Sequence, residues 1–347
     1  MPKIVAVKGL GVFAHGSSKK TADFAKALLI DAAKIAAYSK AFGGAKPMEE
    51  DLADYIQNWA VRTKHGANDG AGKGRIQEKI AIITGSAQGF GQGIAEEMCK
   101  EGANVVIADL STDLANENAK RLSAMHGMGK AIAVTANVGE EASVQNMLIE
   151  TVLEYGGIDV FVNNAGIVRA GSLEDMTVDM LELVTKVNYT AYFLCAKYAT
   201  MYMKIQNRFA PDYYMDIIQI NSKSGLAGSN KNFAYAGSKF GGIGLTQSFA
   251  LELTPYRIKV NSICPGNFLD GPLWTHPEKG LFVQYLHAGK VPGATTVEEV
   301  KKFYEAKVPM NRGCHIIDVV RAIYYCMEQE YETGQAIPVT GGQEMLK

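Results

Sequence analysis

The fold is decided by residues 79–91, which read KIAIITGSAQGFG. Residues 80–84 of this segment, IAIIT, are mostly apolar and β-branched, which predicts a short strand. Gly85, Gly89 and Gly91 follow, and the apolar periodicity of residues 94–100 predicts a helix. Three glycines between a strand and a helix let the backbone approach a pyrophosphate, which the helix N-terminus then faces. The segment therefore predicts a dinucleotide-binding turn.

The rest of the C-terminal part repeats this alternation. Apolar runs that predict further strands lie at residues 104–109, 131–136, 158–163, 215–221 and 257–263. Near-continuous apolar strands that alternate with helices imply a parallel sheet covered on both faces. The predicted fold class is α/β, a doubly wound parallel sheet with helices on both faces, preceded by a short α/β N-terminal extension.

The N-terminal extension is set off by residues 62–78, a polar, Gly-rich stretch without periodicity that predicts a linker. The alternating residues 3–9 predict a strand, and residues 20–39 and 48–61 predict helices. About 60 residues make a poor independent core, so we expect this piece to dock onto the main domain or another subunit. The predicted segments are an extension over 1–65, a linker over 66–77 and a dinucleotide-binding domain over 78–347.

Composition excludes several classes of protein. The chain has 347 residues, 47% of them hydrophobic, and a formal net charge of −1, so no bulk basic field exists to hold nucleic acid. No apolar run is long enough to span a bilayer, and no secretion signal is evident. The five cysteines are scattered and never form C-x-x-C, which argues against a disulfide framework or a zinc ribbon. We expect a cytoplasmic protein without a metal site, a membrane segment or a nucleic-acid partner.

Asp109 ends the second predicted strand, 24 residues beyond Gly85. A carboxylate at this place can accept hydrogen bonds from the adenosine ribose and would repel a 2′-phosphate. Leu110 follows, and no arginine directly follows it. The pattern favours NAD over NADP, and the alternative is a solvated carboxylate at a strand end.

Short motifs follow the later strands in a fixed order: Asn163-Asn164-Ala165-Gly166, then Asn188, Ser222, Tyr235-x-x-x-Lys239 and Pro265-Gly266. Together, from about Gly74 to the C-terminus, they resemble the short-chain dehydrogenase/reductase family. The resemblance implies a Rossmann-type sheet and a catalytic tetrad of Asn188, Ser222, Tyr235 and Lys239.

The chemistry of the tetrad is reasonable on physical grounds. A free tyrosine has a pKa of about 10 and is a poor base at neutral pH, but a nearby cation stabilises its phenolate. Tyr235 and Lys239 are spaced i and i+4, so both can face one cleft. Ser222 would hydrogen-bond the substrate oxygen, and Asn188 would hold a water that relays the proton. The resemblance also has Lys239 bind the nicotinamide ribose.

The resemblance extends to the cofactor pocket. Asn137 stands where many members carry Asp, and Phe90 stands where a smaller aliphatic residue is usual. The cofactor-binding positions that it implies are Gly85, Ser86, Gln88, Gly89, Phe90, Gly91, Asp109, Leu110, Asn137, Val138, Asn164, Ala165, Gly166, Tyr235, Lys239, Pro265, Gly266 and Phe268.

Two long segments bear on the substrate. Residues 206–219 form a longer stretch than the family usually has, for which a surface loop is the alternative. Residues 267–314 are expected to form a helical lid over the substrate. Lys223 and Lys231, near the catalytic serine and tyrosine, favour a hydroxylated or phosphorylated sugar, unless they are ordinary solvated lysines.

Residues 1–65, with GLGVFAHG before an amphipathic helix, look similar to the tail of class II aldolases. In one group of bacterial proteins, often called sorbitol-6-phosphate dehydrogenases, such a module is fused to a short-chain dehydrogenase. His15 has no partner histidines to hold zinc, so aldolase activity is not expected. The resemblance to the short-chain dehydrogenases implies a homotetramer, and the two resemblances together favour an enzyme that interconverts a secondary alcohol and a ketone on a polyol or sugar phosphate, sorbitol 6-phosphate first. Alternatives are a reductase of a small aldehyde or unphosphorylated sugar, and an NAD-binding scaffold for an aldolase subunit.

Overall fold

The computed structural model describes residues 3–56, 74–278, 280–287, 289 and 291–345. The chain divides into two compact units, Met1–Glu78 and Lys79–Lys347. The second unit carries the predicted strand–helix alternation, and each unit is described separately below.

The first unit contains an antiparallel hairpin and a long helix. Strands β1 (Ile4–Val7) and β2 (Gly11–Ala14) pair with each other, and helix α1 (Lys19–Ser39) packs on them. The Ser18 side chain accepts a hydrogen bond from a backbone amide of the first helical turn, so the chain enters α1 through a capping box. Strand β2 was not predicted, because a four-residue apolar run beside Gly11 carries too weak a pattern.

Two other predictions for this region are only partly testable. Residues 50–56 are helical, within the helix predicted over 48–61, whose remaining residues 57–61 lie outside the described ones. Of the predicted linker, residues 62–73 also lie outside the described part of the chain. The domain boundaries at 65 and 77 therefore stay predictions.

The second unit is built on a seven-stranded parallel sheet with the order β5-β4-β3-β6-β7-β8-β9. The order reverses between β3 and β6, which is the crevice where doubly wound sheets bind ligands. The strands are β3 (Ile80–Thr84), β4 (Asn104–Asp109), β5 (Ala131–Thr135), β6 (Val160–Asn163), β7 (Met215–Ile220), β8 (Ile258–Pro265) and β9 (Ala336–Val339).

Helices connect the strands and cover both faces of the sheet. On one face α2 packs against α3 and α11, and on the other α4 packs against α6. The helices of this unit are α2 (Gly89–Lys100), α3 (Thr112–His126), α4 (Glu141–Tyr155), α5 (Val178–Thr185), α6 (Ala191–Phe209), α7 (Phe233–Leu253), α8 (Pro272–Thr275), α9 (Leu281–His287), α10 (Val297–Ala306) and α11 (Ile316–Glu328).

The core lies on both faces of the sheet because the strands carry apolar side chains on both faces. Ile82 and Phe161 pack in one large cluster with residues of α4 and α6, while the neighbouring Ile83 points to the opposite face and is equally inaccessible. The predicted doubly wound α/β fold is confirmed. Strand β9 was not predicted, since its four residues include Pro338.

The long segment 206–219 has its turn at the amino end of β7, and its last residue, Gln219, lies near the carboxyl end of that strand. Its first residues complete α6, and a turn then leads into β7. Tyr213 accepts a hydrogen bond from Lys79 Nζ at 2.8 Å, and Tyr214 accepts one from Arg257 at 2.7 Å, both at the amino ends of strands. The turn of this segment therefore lies at the amino ends of the strands, and the expectation that the segment bears on the substrate stays a prediction. Among the described residues, no helix combines the length and apolarity needed to cross a bilayer.

Candidate active site

The glycine loop after β3 adopts the geometry that its sequence predicts. Gly85 and Gly89 have φ of +62° and +64°, a region that other residues rarely adopt. A Cβ on Gly91 would lie 2.3 Å from the carbonyl oxygen of Gly85, so a side chain there would break the loop. Helix α2 begins at Gly89 without a side-chain cap, which leaves backbone N–H groups of its first turn directed at the crevice. These features fit a pyrophosphate.

Asp109 holds the glycine loop as well as ending β4. One carboxylate oxygen accepts the backbone N–H of Ala87 at 2.9 Å, and the other accepts that of Ser111 at 2.9 Å. Each oxygen keeps a second lone pair for another donor. Leu110 beside it is exposed. The carboxylate thus joins the loop to the end of β4, and its contact with a ribose stays a prediction.

A second set of hydrogen bonds fixes the loop from the side of β6. The Asn164 side chain donates to the carbonyl oxygens of Thr84 and Gly85 at 2.9 and 3.0 Å. Thr84 Oγ1 accepts from the backbone N–H groups of Asn164 and Ala165. Asn164 and Ala165 therefore support the loop, in addition to the cofactor contact that the resemblance implies for them.

The predicted tetrad residues lie together at the carboxyl ends of β6 and β7. Tyr235 and Lys239 sit one turn apart on α7, with Lys239 Nζ 5.5 Å from the Tyr235 ring centroid. The Ser222 side chain lies close enough to Tyr235 to lower the pKa of its hydroxyl, and Lys239 Nζ donates to the carbonyl oxygen of Ile220 at 2.9 Å. The hydroxyl groups of Ser222 and Tyr235 and the ammonium group of Lys239 therefore lie near one another.

Burial acts on both titratable members of this group. It raises the pKa of Tyr235, and the hydrogen bond from Ser222 counteracts that rise. Burial lowers the pKa of Lys239 to about 8. Both shifts favour the neutral forms, as expected for groups taken out of water.

Asn188 stands in a π-helical turn, residues 186–190, between α5 and α6. Such turns are often found at functional sites. Its side chain accepts from the backbone N–H of Ile167 at 2.8 Å and donates to the Ile167 carbonyl and to Ser238 Oγ. A Cβ on Gly166 would lie 3.3 Å from Asn188 Oδ1 and 3.8 Å from Lys239 Nζ, so both side chains border this glycine.

The remaining cofactor positions differ in what they can contact. The Ser86 hydroxyl is buried and donates to the Ile83 carbonyl at 2.6 Å, whereas Gln88 is exposed. Asn137 Oδ1 accepts from the Gly139 backbone at 3.1 Å, and Val138 is buried. Ser86 and Asn137 therefore use polar atoms to hold the chain itself, and the cofactor contacts of all four residues stay predictions.

Phe90 and Phe268 meet across the crevice. Their rings stack with centroids 4.7 Å apart, which joins the glycine loop to the segment after Pro265-Gly266. The Gly266 backbone N–H bonds to the Val339 carbonyl at 2.9 Å. Phe90, the departure from the usual aliphatic residue, therefore gains an aromatic partner.

Residues 267–314, the predicted lid, contain α8, α9 and α10 around their own small core. Trp274 is its centre and contacts Phe282, Tyr285 and Tyr304. Lys301 forms an ion pair with Asp270 at 2.7 Å. The segment is a packed subdomain, and its role as a lid stays a prediction.

Two lysines near the site differ in their surroundings. Lys223, next to Ser222, has its pKa lowered by burial, and the charges of Glu344 and Lys307 act on it in opposite directions. Lys231 is exposed and has φ of 54°. Of the two lysines that favoured a phosphorylated substrate, Lys223 is therefore the more enclosed. Lys307, whose charge acts on Lys223, was not predicted.

Three supporting residues were also missed. Asn221 Oδ1 accepts from the Ser222 backbone at 2.8 Å and its amide donates to the Lys239 carbonyl. Asn118 donates to the Ala87 carbonyl at 2.9 Å. Thr84 and Asn221 could have been found as polar residues at strand ends, but Asn118 gave no signal on its helix.

In the part of the chain that the structure describes, no group of three or more His, Cys, Asp or Glu residues could hold a metal ion.

Comparison with known proteins agrees with this geometry. Residues 79–276 match the family model of the short chain dehydrogenases. Sorbitol-6-phosphate 2-dehydrogenase of Escherichia coli strain K12 is 36% identical over 273 residues, which cover 77% of this chain and 99% of that protein. The crystal structure of sorbitol-6-phosphate 2-dehydrogenase SrlD from Erwinia amylovora superposes with a TM-score of 0.70 and 35% identity, over 77% of this chain and 100% of its own.

One relative also covers the first unit. The uncharacterized oxidoreductase YuxG of Bacillus subtilis strain 168 is 26% identical over 348 residues, which cover 98% of this chain but 48% of YuxG. The sheet, the glycine loop and these similarities agree over residues 79–276, more than half of the chain. The protein is thus an oxidoreductase that acts on CH–OH groups and belongs to the short-chain dehydrogenase family.

Proposed function

We propose that the chain is an NAD-dependent dehydrogenase that interconverts a secondary alcohol and a ketone on a polyol or sugar phosphate. Sorbitol 6-phosphate and fructose 6-phosphate are the first pair to test. The observation that carries the proposal is the juxtaposition of Ser222, Tyr235 and Lys239 beside the glycine loop. The sorbitol-6-phosphate 2-dehydrogenases among the relatives support this substrate class.

In this proposal the protein's own residues manage the proton. Ser222 donates a hydrogen bond to the substrate oxygen, and Tyr235 accepts the proton that leaves the alcohol. The Lys239 ammonium stabilises the Tyr235 phenolate against the unfavourable effect of burial. Asn188 keeps one Oδ1 lone pair for a relay water. A bound NAD would supply the hydride acceptor for the carbon that carries this hydroxyl, so that the alcohol would lose two electrons and become a ketone.

The preference for NAD rests on Asp109. Its carboxylate is fixed by two backbone N–H groups, and its remaining lone pairs can accept the ribose hydroxyls. A 2′-phosphate at this position would meet a negative charge.

The phosphate preference rests on Lys223. It follows Ser222 directly, and the charge of Lys307 acts on it and disfavours its protonated form. A phosphate dianion between two ammonium groups would relieve that repulsion. Glu344 acts in the opposite sense, so the phosphate must compete with one carboxylate.

We further propose that the enzyme is a cytoplasmic homotetramer packed through the long helices α6, which follows Asn188, and α7, which carries Tyr235 and Lys239. Phe193 on α6 and Phe240 on α7 are 42% and 46% exposed, and such aromatic surface is suited to burial between subunits.

The test follows absorbance of the reduced nicotinamide with NAD and NADP offered separately. Sorbitol 6-phosphate and sorbitol are offered with the oxidised cofactors and lactaldehyde with the reduced ones, and Tyr235→Phe is measured beside the wild type. We expect turnover with NAD and sorbitol 6-phosphate, and its loss in Tyr235→Phe. Turnover with unphosphorylated sorbitol alone would refute the phosphate preference and keep the dehydrogenase.

A matched lysine pair locates the phosphate contact. Lys223→Met should raise KM for sorbitol 6-phosphate about tenfold or more, as expected for a lost charge-assisted hydrogen bond of about 1.5–3 kcal/mol. Lys231→Met removes an equal charge at an exposed site and should leave KM unchanged. Equal effects of both variants would show that KM depends on the total positive charge near the site and not on a contact with Lys223.

A further inference from the structure

A row of polar side chains crosses the sheet near the carboxyl ends of β6 and β7. Asn163, Gln219 and Ser262 lie in register on the adjacent strands β6, β7 and β8. All three are buried, and Gln219, in the middle, is 1% exposed. The next row on the same face of the sheet is apolar and consists of Phe161, Ile217 and Val260. A buried polar group is costly unless it is hydrogen-bonded, so the polar row needs partners inside the protein.

The Gln219 side chain joins this row to the backbone of the tetrad. Its Oε1 accepts from the Asn221 amide at 2.9 Å and from the Ser262 hydroxyl at 3.1 Å. The same Asn221 amide donates to the Lys239 carbonyl at 2.9 Å, and Asn221 Oδ1 accepts from the Ser222 backbone N–H at 2.8 Å. Gln219 is thus bonded directly to the side chain that bridges Ser222 and Lys239.

The polarity of the backbone fixes the orientation of both amides. The Ser222 N–H can only donate and the Lys239 carbonyl can only accept, so Asn221 must present Oδ1 to the first and its NH₂ group to the second. The other hydrogen of that NH₂ group then requires an acceptor, which is Gln219 Oε1. Turning the Gln219 amide by 180° would place two NH₂ groups against each other. Gln219 is therefore held in one orientation.

The other half of the Gln219 amide plays no part in this network. Gln219 Nε2 is buried and has no hydrogen-bond partner among the residues that the structure describes. A Cβ on Gly242 of α7 would lie 2.3 Å from Nε2, so the amide fits because this helix position has no side chain. In its hydrogen bonds with the described residues, Gln219 therefore differs from a methionine of similar size through Oε1 alone.

We propose that Gln219 is a positioning residue that sets the distance between Ser222, after β7, and Lys239 on α7. It acts through Asn221, whose amide bridges the two backbones. The Lys239 ammonium is tied to the same strand, since it donates to the Ile220 carbonyl at 2.9 Å. Without Gln219 Oε1 the Asn221 amide is free to turn, and the hydroxyl and ammonium groups lose the spacing that the reaction requires. This role presupposes the functions proposed above for Ser222 and Lys239.

Two matched pairs of variants test this role. Gln219→Met removes Oε1, whereas Gln206→Met removes a side chain that binds the backbone of Ile158 at 2.8 and 3.1 Å, ahead of β6. Gly242→Ala pushes the Gln219 amide aside, whereas a Cβ on Gly244 of the same helix meets no atom within 4 Å. Gly242→Ala and Gly244→Ala raise the helix propensity equally, so this pair differs in the contact with Gln219.

The first measurement is the rate of hydride transfer in a single turnover with NAD and sorbitol 6-phosphate. We expect it to fall about 10- to 100-fold in Gln219→Met and in Gly242→Ala, the range for a reacting group displaced by up to about 1 Å. The fall should persist at saturating substrate and NAD, because it arises in the reacting step and not in binding. Gln206→Met and Gly244→Ala should keep the wild-type rate.

Hydrogen exchange reports the position of the backbone without a substrate. Because the Ser222 N–H is bonded to Asn221 Oδ1, it should exchange about tenfold faster or more in Gln219→Met and Gly242→Ala, and at the wild-type rate in the two controls. Mass spectrometry of peptides that cover residues 219–225 measures it. Circular dichroism and size exclusion check the fold and the assembly of each variant, and Gly242→Ala decides if Gln219→Met does not fold.

A wild-type rate of hydride transfer in the folded variants overturns the proposal, and so does an equal loss in the two controls. Tyr235→Phe separates this proposal from the proposed function. Loss of turnover in Tyr235→Phe together with a wild-type rate in Gln219→Met and Gly242→Ala refutes the role of Gln219 alone. Turnover that persists in Tyr235→Phe refutes the proposed chemistry, and with it the positioning role.

Discussion

Two lysines of the second unit are equally buried but have opposite surroundings. Lys239 on α7 and Lys259 on β8 are each 4% exposed. Lys259 lies 3.1 Å from a carboxylate oxygen of Asp216 and donates to the carbonyls of Cys326, Met327 and Gln329 at the end of α11. Lys239 donates to one carbonyl, that of Ile220, and in the described part of the chain it has no carboxylate within ion-pair distance.

The difference separates a cation kept for chemistry from one kept for structure. A buried charge is costly unless it is paired and hydrogen-bonded. Lys259 meets this condition, so it neutralises Asp216 and joins the end of α11 to β8. Lys239 does not meet it, and its pKa falls to about 8. Only Lys239 faces the Tyr235 ring, where an uncompensated cation can act on a phenolate.

The largest expected effect is on activity. Replacing Lys239→Met removes the cation beside Tyr235 and should lower kcat about 10²- to 10⁴-fold, the usual contribution of a positioned acid–base group. The free energy of unfolding should change by only about 1 kcal/mol, because the lost hydrogen bond to Ile220 is offset by the removed cost of a buried charge. Steady-state kinetics and urea unfolding of the same preparation measure both quantities. A variant that unfolds at wild-type assay temperatures would assign Lys239 to structure.

The sequence could identify Lys239 but not Lys259. Tyr235-x-x-x-Lys239 is a spacing with a chemical reason, whereas Lys259 stands in an apolar strand, Ile258 to Pro265, like any snorkelling lysine. Its partners come from β7 and from the end of α11, about 40 and 70 residues away, and only the folded sheet brings them together. Local patterns therefore predicted the parallel sheet and the glycine loop, because these depend on neighbours in the chain.

The supporting shell of the site was unpredictable for the same reason. Asp109 was predicted as a ribose contact, but its bond to Ala87 depends on how the glycine loop folds back on β4. Asn118 is a helix residue with no motif around it, and Lys307 lies 84 residues from the Lys223 that it acts on. Strand β2 was missed because its short run begins at Gly11, and strand β9 was missed because its four residues include Pro338.

The next largest effect is on stability. Lys259→Met leaves Asp216 buried without its counter-charge and three helix-end carbonyls without their donor. Breaking such a buried pair from one side costs about 3–5 kcal/mol. Guanidinium unfolding should show this loss, while kcat measured below the unfolding temperature stays within a few-fold of the wild type because Lys259 lies away from the tetrad. A loss of kcat that matches Lys239→Met would contradict the division between the two lysines.

The loss of stability in Lys259→Met is expected to depend on pH. Burial raises the pKa of Asp216 from 3.8 to about 6, and Lys259 counteracts part of that rise. The folded state thus holds this proton more tightly than the unfolded state, so the carboxylate lowers stability as the pH rises from about 4 through 6. Without Lys259 the pKa should rise further. The stability deficit of Lys259→Met should be smaller at pH 5 than at pH 7.5, and an equal deficit at both would show that the lost carbonyl contacts dominate.

The smallest effect is expected for a lysine whose ion pair lies in water. Lys186 contacts Glu140 at 2.7 Å, closer than Lys259 contacts Asp216, but their side chains are 50% and 56% exposed. Exposed pairs gain little because water screens the charges and two long side chains lose freedom. Lys186→Met should therefore change the free energy of unfolding by no more than about 0.5 kcal/mol. Urea unfolding at low and high salt measures it. A loss as large as that of Lys259→Met would mean that contact distance, and not burial, decides what these lysines contribute.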